Sequence, residues 1–261
     1  MVKIIAIANQ KGGVGKTTTS VNLAASLTAT KKRVLLIDID PQGNATMGSG
    51  INKNELEKTL TELLVDETPF DEIKRTSSAG YDLIPANHDL TFAEVQLLKE
   101  ADREKKLQTR LAPIISLYDF ILIDCPPSLN VLTLNALVAA HSLLIPMQCE
   151  YYALEGLSSL LNTMDQVKQA INPALEVEGV LRTMYDGRNR LAVEVSEQLL
   201  NHFGDKVFRT VIPRNVRLAE APSYGLPGLL YDAKSQGAIA YLALAGEVLR
   251  RLDQKEGKVD A

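Results

Sequence analysis

The chain has 261 residues, 46% of them apolar, enough to bury the core of one large α/β domain. Its formal net charge of −4 argues against a protein that holds nucleic acid through charge spread over its whole surface. No apolar run approaches the roughly 18 residues of a membrane-spanning helix, and the opening Met-Val-Lys carries no signal-peptide pattern. Cys125 and Cys149 lie too far apart in sequence for a disulfide framework or a metal site and read as two buried thiols of a cytoplasmic protein.

Taken in chain order, short β-branched apolar runs alternate with helical patterns. Strands are predicted over 4–8, 34–37, 82–85, 120–123, 143–147, 177–183 and 207–212. A helix follows the first strand, with Val21, Ala24, Ala25 and Thr28 on its periodic face. Residues 52–78 are more polar and predict a peripheral helical excursion. Leu154, Leu157, Leu161, Met164, Val167 and Ile171 mark one further helix face, and Ile239, Leu242, Ala245, Leu249 and Leu252 another. This alternation predicts an α/β fold, a mainly parallel twisted sheet with helices on both faces. Without a linker or a repeat, one domain over 1–261 is expected. The charged residues 253–261 predict a frayed tail that lacks the bulky apolar face of a membrane-surface anchor.

Between the first strand and its helix lies Lys11-Gly12-Gly13-Val14-Gly15-Lys16-Thr17-Thr18. Strand, glycine-rich loop and helix form the context of a phosphate loop: backbone N–H groups cradle phosphate oxygens and the helix N-terminus adds partial positive charge. In that context Lys16 reaches the β- and γ-phosphates of ATP, and the Thr17 hydroxyl serves Mg²⁺. The common pattern wants a glycine at position 10, where this chain has Gln10; it carries an additional lysine, Lys11, instead. A second lysine beside one triphosphate either closes on that nucleotide or points outward to one held by a second subunit.

Lys-Gly-Gly-Val-Gly-Lys-Thr-Thr resembles the deviant Walker A motif of the ParA/Soj/MinD ATPases, a branch of the P-loop NTPases. Residues 34–44, ending Asp38-Ile39-Asp40-Pro41-Gln42-Gly43-Asn44, resemble that family's second motif, and 120–127 its Walker B strand ending at Asp124. Residues 211–217 and 220–223 resemble the C-terminal signature of Soj-type chromosomal members. The likeness spans essentially the whole chain. It implies that Asp40 positions the attacking water, that Asp124 serves Mg²⁺ through water, and that Lys11 crosses a dimer interface to the partner's phosphates. Pro213 and Asn215 fall in the segment that contacts adenine, and Asp38 is expected to hold its loop by hydrogen bonds. ATP would then glue two copies into a homodimer, with slow hydrolysis until a ParB-type partner stimulates it.

Charge is uneven along the chain: residues 182–217 carry +3 and the rest −7. The resemblance implies that Arg188 and Arg217, with Arg190 and Lys234 as weaker candidates, contact double-stranded DNA without sequence preference, giving a cytoplasmic, nucleoid-associated protein. Tyr185, Phe203 and Phe208 are the aromatic (Phe, Trp, Tyr) residues over 182–217, too sparse a pattern to favour base stacking on single strands. Alternatives are a MinD-like membrane switch at the division site, a related ATPase positioning another cargo, and a ligase or cluster carrier sharing the loop. The first needs a C-terminal amphipathic helix, which the polar Leu249–Lys255 run does not supply, and a cluster carrier needs a paired-cysteine motif.

Overall fold

Successive residues of Lys3–Ile7 (β1) are apolar on both sides: Ile4 and Ala6 join one buried cluster, Ile5 and Ile7 another. A strand with two apolar faces belongs in the middle of a covered sheet. The computed structural model, which describes residues 2–259, places it there. With β2 (Val34–Asp38), β3 (Arg75–Thr76), β4 (Asp82–Ile84), β5 (Phe120–Asp124), β6 (Ser142–Gln148) and β7 (Glu176–Thr183) it forms a sheet ordered β3-β4-β2-β5-β1-β6-β7. All neighbours run parallel except the edge strand β3, which is antiparallel to β4. The expected α/β sheet flanked by helices is therefore present.

One face is covered by α1 (Lys16–Ala29) and the C-terminal helix Gln236–Val259, pinned together where the Thr19 and Tyr241 hydroxyls meet at 3.1 Å. The other face packs against the helices Leu90–Leu97, Val131–Ala139 and Ala153–Ala170. The sheet order reverses direction at β1, and ligands of such sheets bind at the carboxyl ends of the strands beside that switch point.

Four sequence expectations need correction or completion. The run 207–212 is not a strand; Val207 and Pro213 make only isolated bridges, to Val180 and Tyr185. The Phe208 and Ile212 N–H groups still donate to the Val180 and Arg182 carbonyls of β7, but between them side chains take the bonds that a further strand would have made. The buried Glu247 carboxylate accepts from the Arg209 and Thr210 N–H groups, and the Arg182 guanidinium donates to the Phe208 and Arg209 carbonyls. The C-terminal helix is rotated from its predicted face: Ala238, Tyr241, Leu244, Ala245 and Val248 are buried, while Ile239 is 53% exposed. The excursion over 52–78 is helical in the turns Leu60–Leu64 and Phe70–Ile73, but it also contains β3. Residues 253–259, expected to fray, continue the last helix, and 260 and 261 lie outside the described residues.

Candidate active site

The loop after β1 is shaped by backbone that only glycine adopts cheaply. Gly15 sits at φ +85° as the N-cap of α1, a left-handed conformation that a side chain would strain. Its missing side chain has a second consequence. The helices starting at Val131, Arg190 and Val216 are capped by Asn130, Asn189 and Asn215, whereas no side chain caps α1 and no acid lies in its first turn. The leading amides of α1 are thus left for an outside acceptor, with the helix dipole favouring an anion.

Lys16, the first residue of α1, is 7% exposed, and its ammonium donates to the Lys11 carbonyl at 3.1 Å. Burial lowers its pKa, while the charge of Asp124 pulls it back up. A cation in that position gains from an anionic ligand.

Three acids gather at the sheet's carboxyl edge. Parallel pairing sets Asp38 directly opposite Asp124, which in turn lies opposite Ile7, so the last residues of β2, β5 and β1 end at one level. Both carboxylates are fully buried. Desolvation raises the pKa of each, and the charge of Asp124 adds to the rise at Asp38. Their partners separate their tasks. Asp38 accepts from the Thr46 N–H and hydroxyl, each at 2.8 Å, and from the Asp40 N–H at 3.2 Å, so it holds the turn that carries Asp40. Asp124 accepts from the Thr17 hydroxyl at 2.8 Å and the Ser20 hydroxyl at 2.7 Å. Asp40 is 7% exposed and accepts from the Gln42 N–H at 2.9 Å. The turn is further fixed at Gly43, φ +59°, where an added Cβ would lie 2.6 Å from the Ala86 carbonyl oxygen.

These parts open on a cavity of about 650 Å³. Gly12, Gly13, Gly15, Lys16, Thr17 and Thr18 line one side of it. Asp40, Pro213 and Asn215 complete the set that sequence reading assigned and the fold brings together. Leu218, on the short helix after Asn215, adds an apolar wall. The Asn215 side-chain oxygen is engaged as that helix's cap, at 3.2 Å from the Leu218 N–H. Three assigned residues do not line the cavity. Val14 is buried beneath the loop, its carbonyl accepting from the Thr183 hydroxyl at 2.7 Å. Asp124 lies behind Thr17. Lys11 points elsewhere, its ammonium 2.5 Å from the Glu150 carboxylate.

Comparison with known proteins agrees with this geometry. An AAA domain family model matches residues 2–177. The sporulation initiation inhibitor protein Soj of Bacillus subtilis is 56% identical over 95% of this chain and 98% of its own. The chromosome partitioning protein ParA of Myxococcus xanthus is 52% identical over 95% of this chain and 88% of its own. This chain belongs to the ParA/Soj family of partition ATPases. A solved structure named cobyrinic acid a,c-diamide synthase, from Mycobacterium smegmatis with bound ADP and magnesium, superposes with a TM-score of 0.86 at 39% identity. That match covers 97% of this chain and 96% of the other. The shared fold therefore extends over essentially the whole molecule.

On this ParA/Soj fold the three arginines assigned to DNA lie at the surface. Each already faces a carboxylate of its own chain. Arg188, 91% exposed at its side chain, is bidentate to Asp186, and Arg190 reaches Glu194 at 2.9 Å. Arg217 sits between Glu220 at 2.9 Å and Asp232 at 3.5 Å. Sequence reading missed Ser20, although its position three residues after Thr17 places it on the same helix face. It also missed Thr183 and Glu150, which no local motif marks. Among the described residues, no helix is long and apolar enough to cross a membrane.

Proposed function

We propose that this chain is an ATP-driven partition switch that dimerises around two nucleotides, binds double-stranded DNA non-specifically as the ATP dimer, and lets go after hydrolysis stimulated by a ParB-type protein. One observation carries the reading: Lys16 lines the cavity and Lys11 does not. A lysine meant for its own nucleotide would face its own cavity. Lys11 is 40% exposed at its side chain, on the surface that a second copy can approach. Two such copies, related by a two-fold axis, could each present Lys11 to the other's triphosphate.

Within one subunit, the amides of the glycine loop and Lys16 bind the phosphates, and Pro213, Asn215 and Leu218 form a slot for the base. The Thr17 hydroxyl and the buried Asp124 carboxylate fit Mg²⁺, a hard cation that takes oxygen donors and often keeps waters between itself and a carboxylate. Bound there, Mg²⁺ neutralises charge on the phosphate oxygens. Asp40, held by the Asp38–Thr46 bonds, orients the attacking water. The reading places work on the cytoplasmic nucleoid and none at a membrane.

Two features support nucleotide control of DNA binding. Arg217 shares the short helix Val216–Glu220 with Leu218 and Ala219, which line the cavity. Arg188 follows the cavity residues Thr183 and Met184 by a few positions on the same connection. Their ion pairs are exposed, and such pairs exchange readily for DNA phosphates. The double variant Arg188→Glu with Arg217→Glu is expected to lose retention on non-specific duplex DNA by roughly tenfold or more while the ATP dimer still forms. Retention that stays at the wild-type level would move the DNA face elsewhere, and retention equal in ADP and ATP would count against the switch. Cargo other than DNA would appear as an ATP dimer that ignores DNA altogether.

A further inference from the structure

The first half of the phosphate loop is tied by its own side chains to β6, the turn after it and the helix Ala153–Ala170, none of which lines the cavity. Asn9 donates to the Pro146 carbonyl at 2.8 Å, the Gln10 amide reaches the Ser159 hydroxyl at 3.2 Å, and the Lys11 ammonium sits 2.5 Å from Glu150. All three partners lie on β6, on the helix Ala153–Ala170 or on the turn between them. The second half is fixed separately, through Thr183 to Val14 and Asp124 to Thr17. Lys11 is thus the one loop lysine held by a carboxylate outside the nucleotide cavity.

We infer that Glu150 is a positioning residue for Lys11: it holds the lysine away from nucleotide in the monomer, and the pair must open before two subunits can close. The inference rests on the proposed role of Lys11 across a dimer interface. The physical ground is competition for one cation. An ammonium cannot keep its best geometry to the Glu150 carboxylate and also reach a phosphate on another molecule. Lys11 and Glu150 are 40% and 44% exposed at their side chains, so the pair is solvated and opens at modest cost. It acts as a threshold and not as a lock. Each exposed pair is worth a factor of about 2–5 in equilibrium, and a symmetric dimer opens two, so removing both strengthens dimerisation about 4- to 25-fold. Added salt screens the pair and shrinks that difference.

The test compares full-length wild type, Glu150→Gln, Lys11→Ala and the double variant by sedimentation velocity with Mg²⁺ and a non-hydrolysable ATP analogue. Binding of a fluorescent ATP analogue to the monomer is measured alongside. The inference expects the Glu150→Gln dimer dissociation constant to fall about 4- to 25-fold at low salt, with the gap closing as salt rises. Nucleotide affinity of the monomer stays unchanged, and the double variant stays monomeric like Lys11→Ala. An unchanged or weaker Glu150→Gln dimer overturns the inference while leaving the dimer reading intact. Tighter nucleotide binding by the Glu150→Gln monomer also overturns it, because Lys11 would then be turning to its own nucleotide. A wild type that stays monomeric with the analogue removes both the inference and the reading beneath it.

Discussion

Asp40→Ala is expected to bind ATP normally, turn it over about 10²–10⁴-fold more slowly than wild type, and accumulate as the dimer. The geometry separates these effects. Asp40 lines the cavity, and its carboxylate accepts from the Gln42 N–H of its own turn and not from a group that holds phosphate. The turn itself is fixed from behind, through Asp38 to Thr46 and through Thr46 to the Ala86 N–H at 2.9 Å. Removing the Asp40 carboxylate therefore deletes one group without collapsing its neighbourhood. Phosphate release in a single-turnover experiment, with sedimentation alongside, checks the pair of outcomes. A variant that hydrolyses at the wild-type rate, or stays monomeric with ATP, would remove Asp40 from the role given to it.

Lys16→Ala is expected to do the opposite, abolishing measurable nucleotide binding while sparing the fold. An ammonium that stabilises transferring phosphate is worth about 10²–10³ in turnover alone, and the lost ground-state contact adds to that. The apo protein does not need the charge. Burial lowers the pKa of Lys16, so the folded chain holds its proton less tightly than the unfolded chain does. The charged side chain opposes folding at every pH below that lowered value, and the opposition fades as pH rises from there towards 10.5. The apo variant should thus melt at or above the wild-type temperature in calorimetry, with no titratable signal from nucleotide. A variant that unfolds instead would make Lys16 a structural residue.

How far the sequence reached follows from the range of each interaction. Strands with two apolar faces were legible because burial on both sides leaves no alternation to misread; β2 and β5 are buried along their whole length. The phosphate loop was legible because its residues are contiguous. Asp38 could be assigned to its loop because its partner Thr46 is eight residues away. The run 207–212 failed for the converse reason. Its pattern is that of a strand, but the backbone bonds of its middle residues go to the side chains of Arg182 and Glu247, from distant parts of the chain. The face of the last helix was misjudged because apolar character alone ranked Ile239 above Tyr241, whose hydroxyl has a buried partner on α1. Glu150 was invisible beforehand, since 139 residues separate it from Lys11. Asp186, Glu194 and Glu220, which pair with Arg188, Arg190 and Arg217, each sit within four residues of their arginine, so local spacing could have found them, whereas Asp232, the second partner of Arg217, lies beyond local range.

The central claim is that ATP, and not ADP, joins two copies through Lys11. Sedimentation velocity of the full chain with Mg²⁺ and either nucleotide tests it most directly. The predicted result is a dimer with ATP, a monomer with ADP, and a monomer with both for Lys11→Ala. The same mass with ATP as with ADP, or a Lys11→Ala variant that dimerises as wild type does, would contradict it.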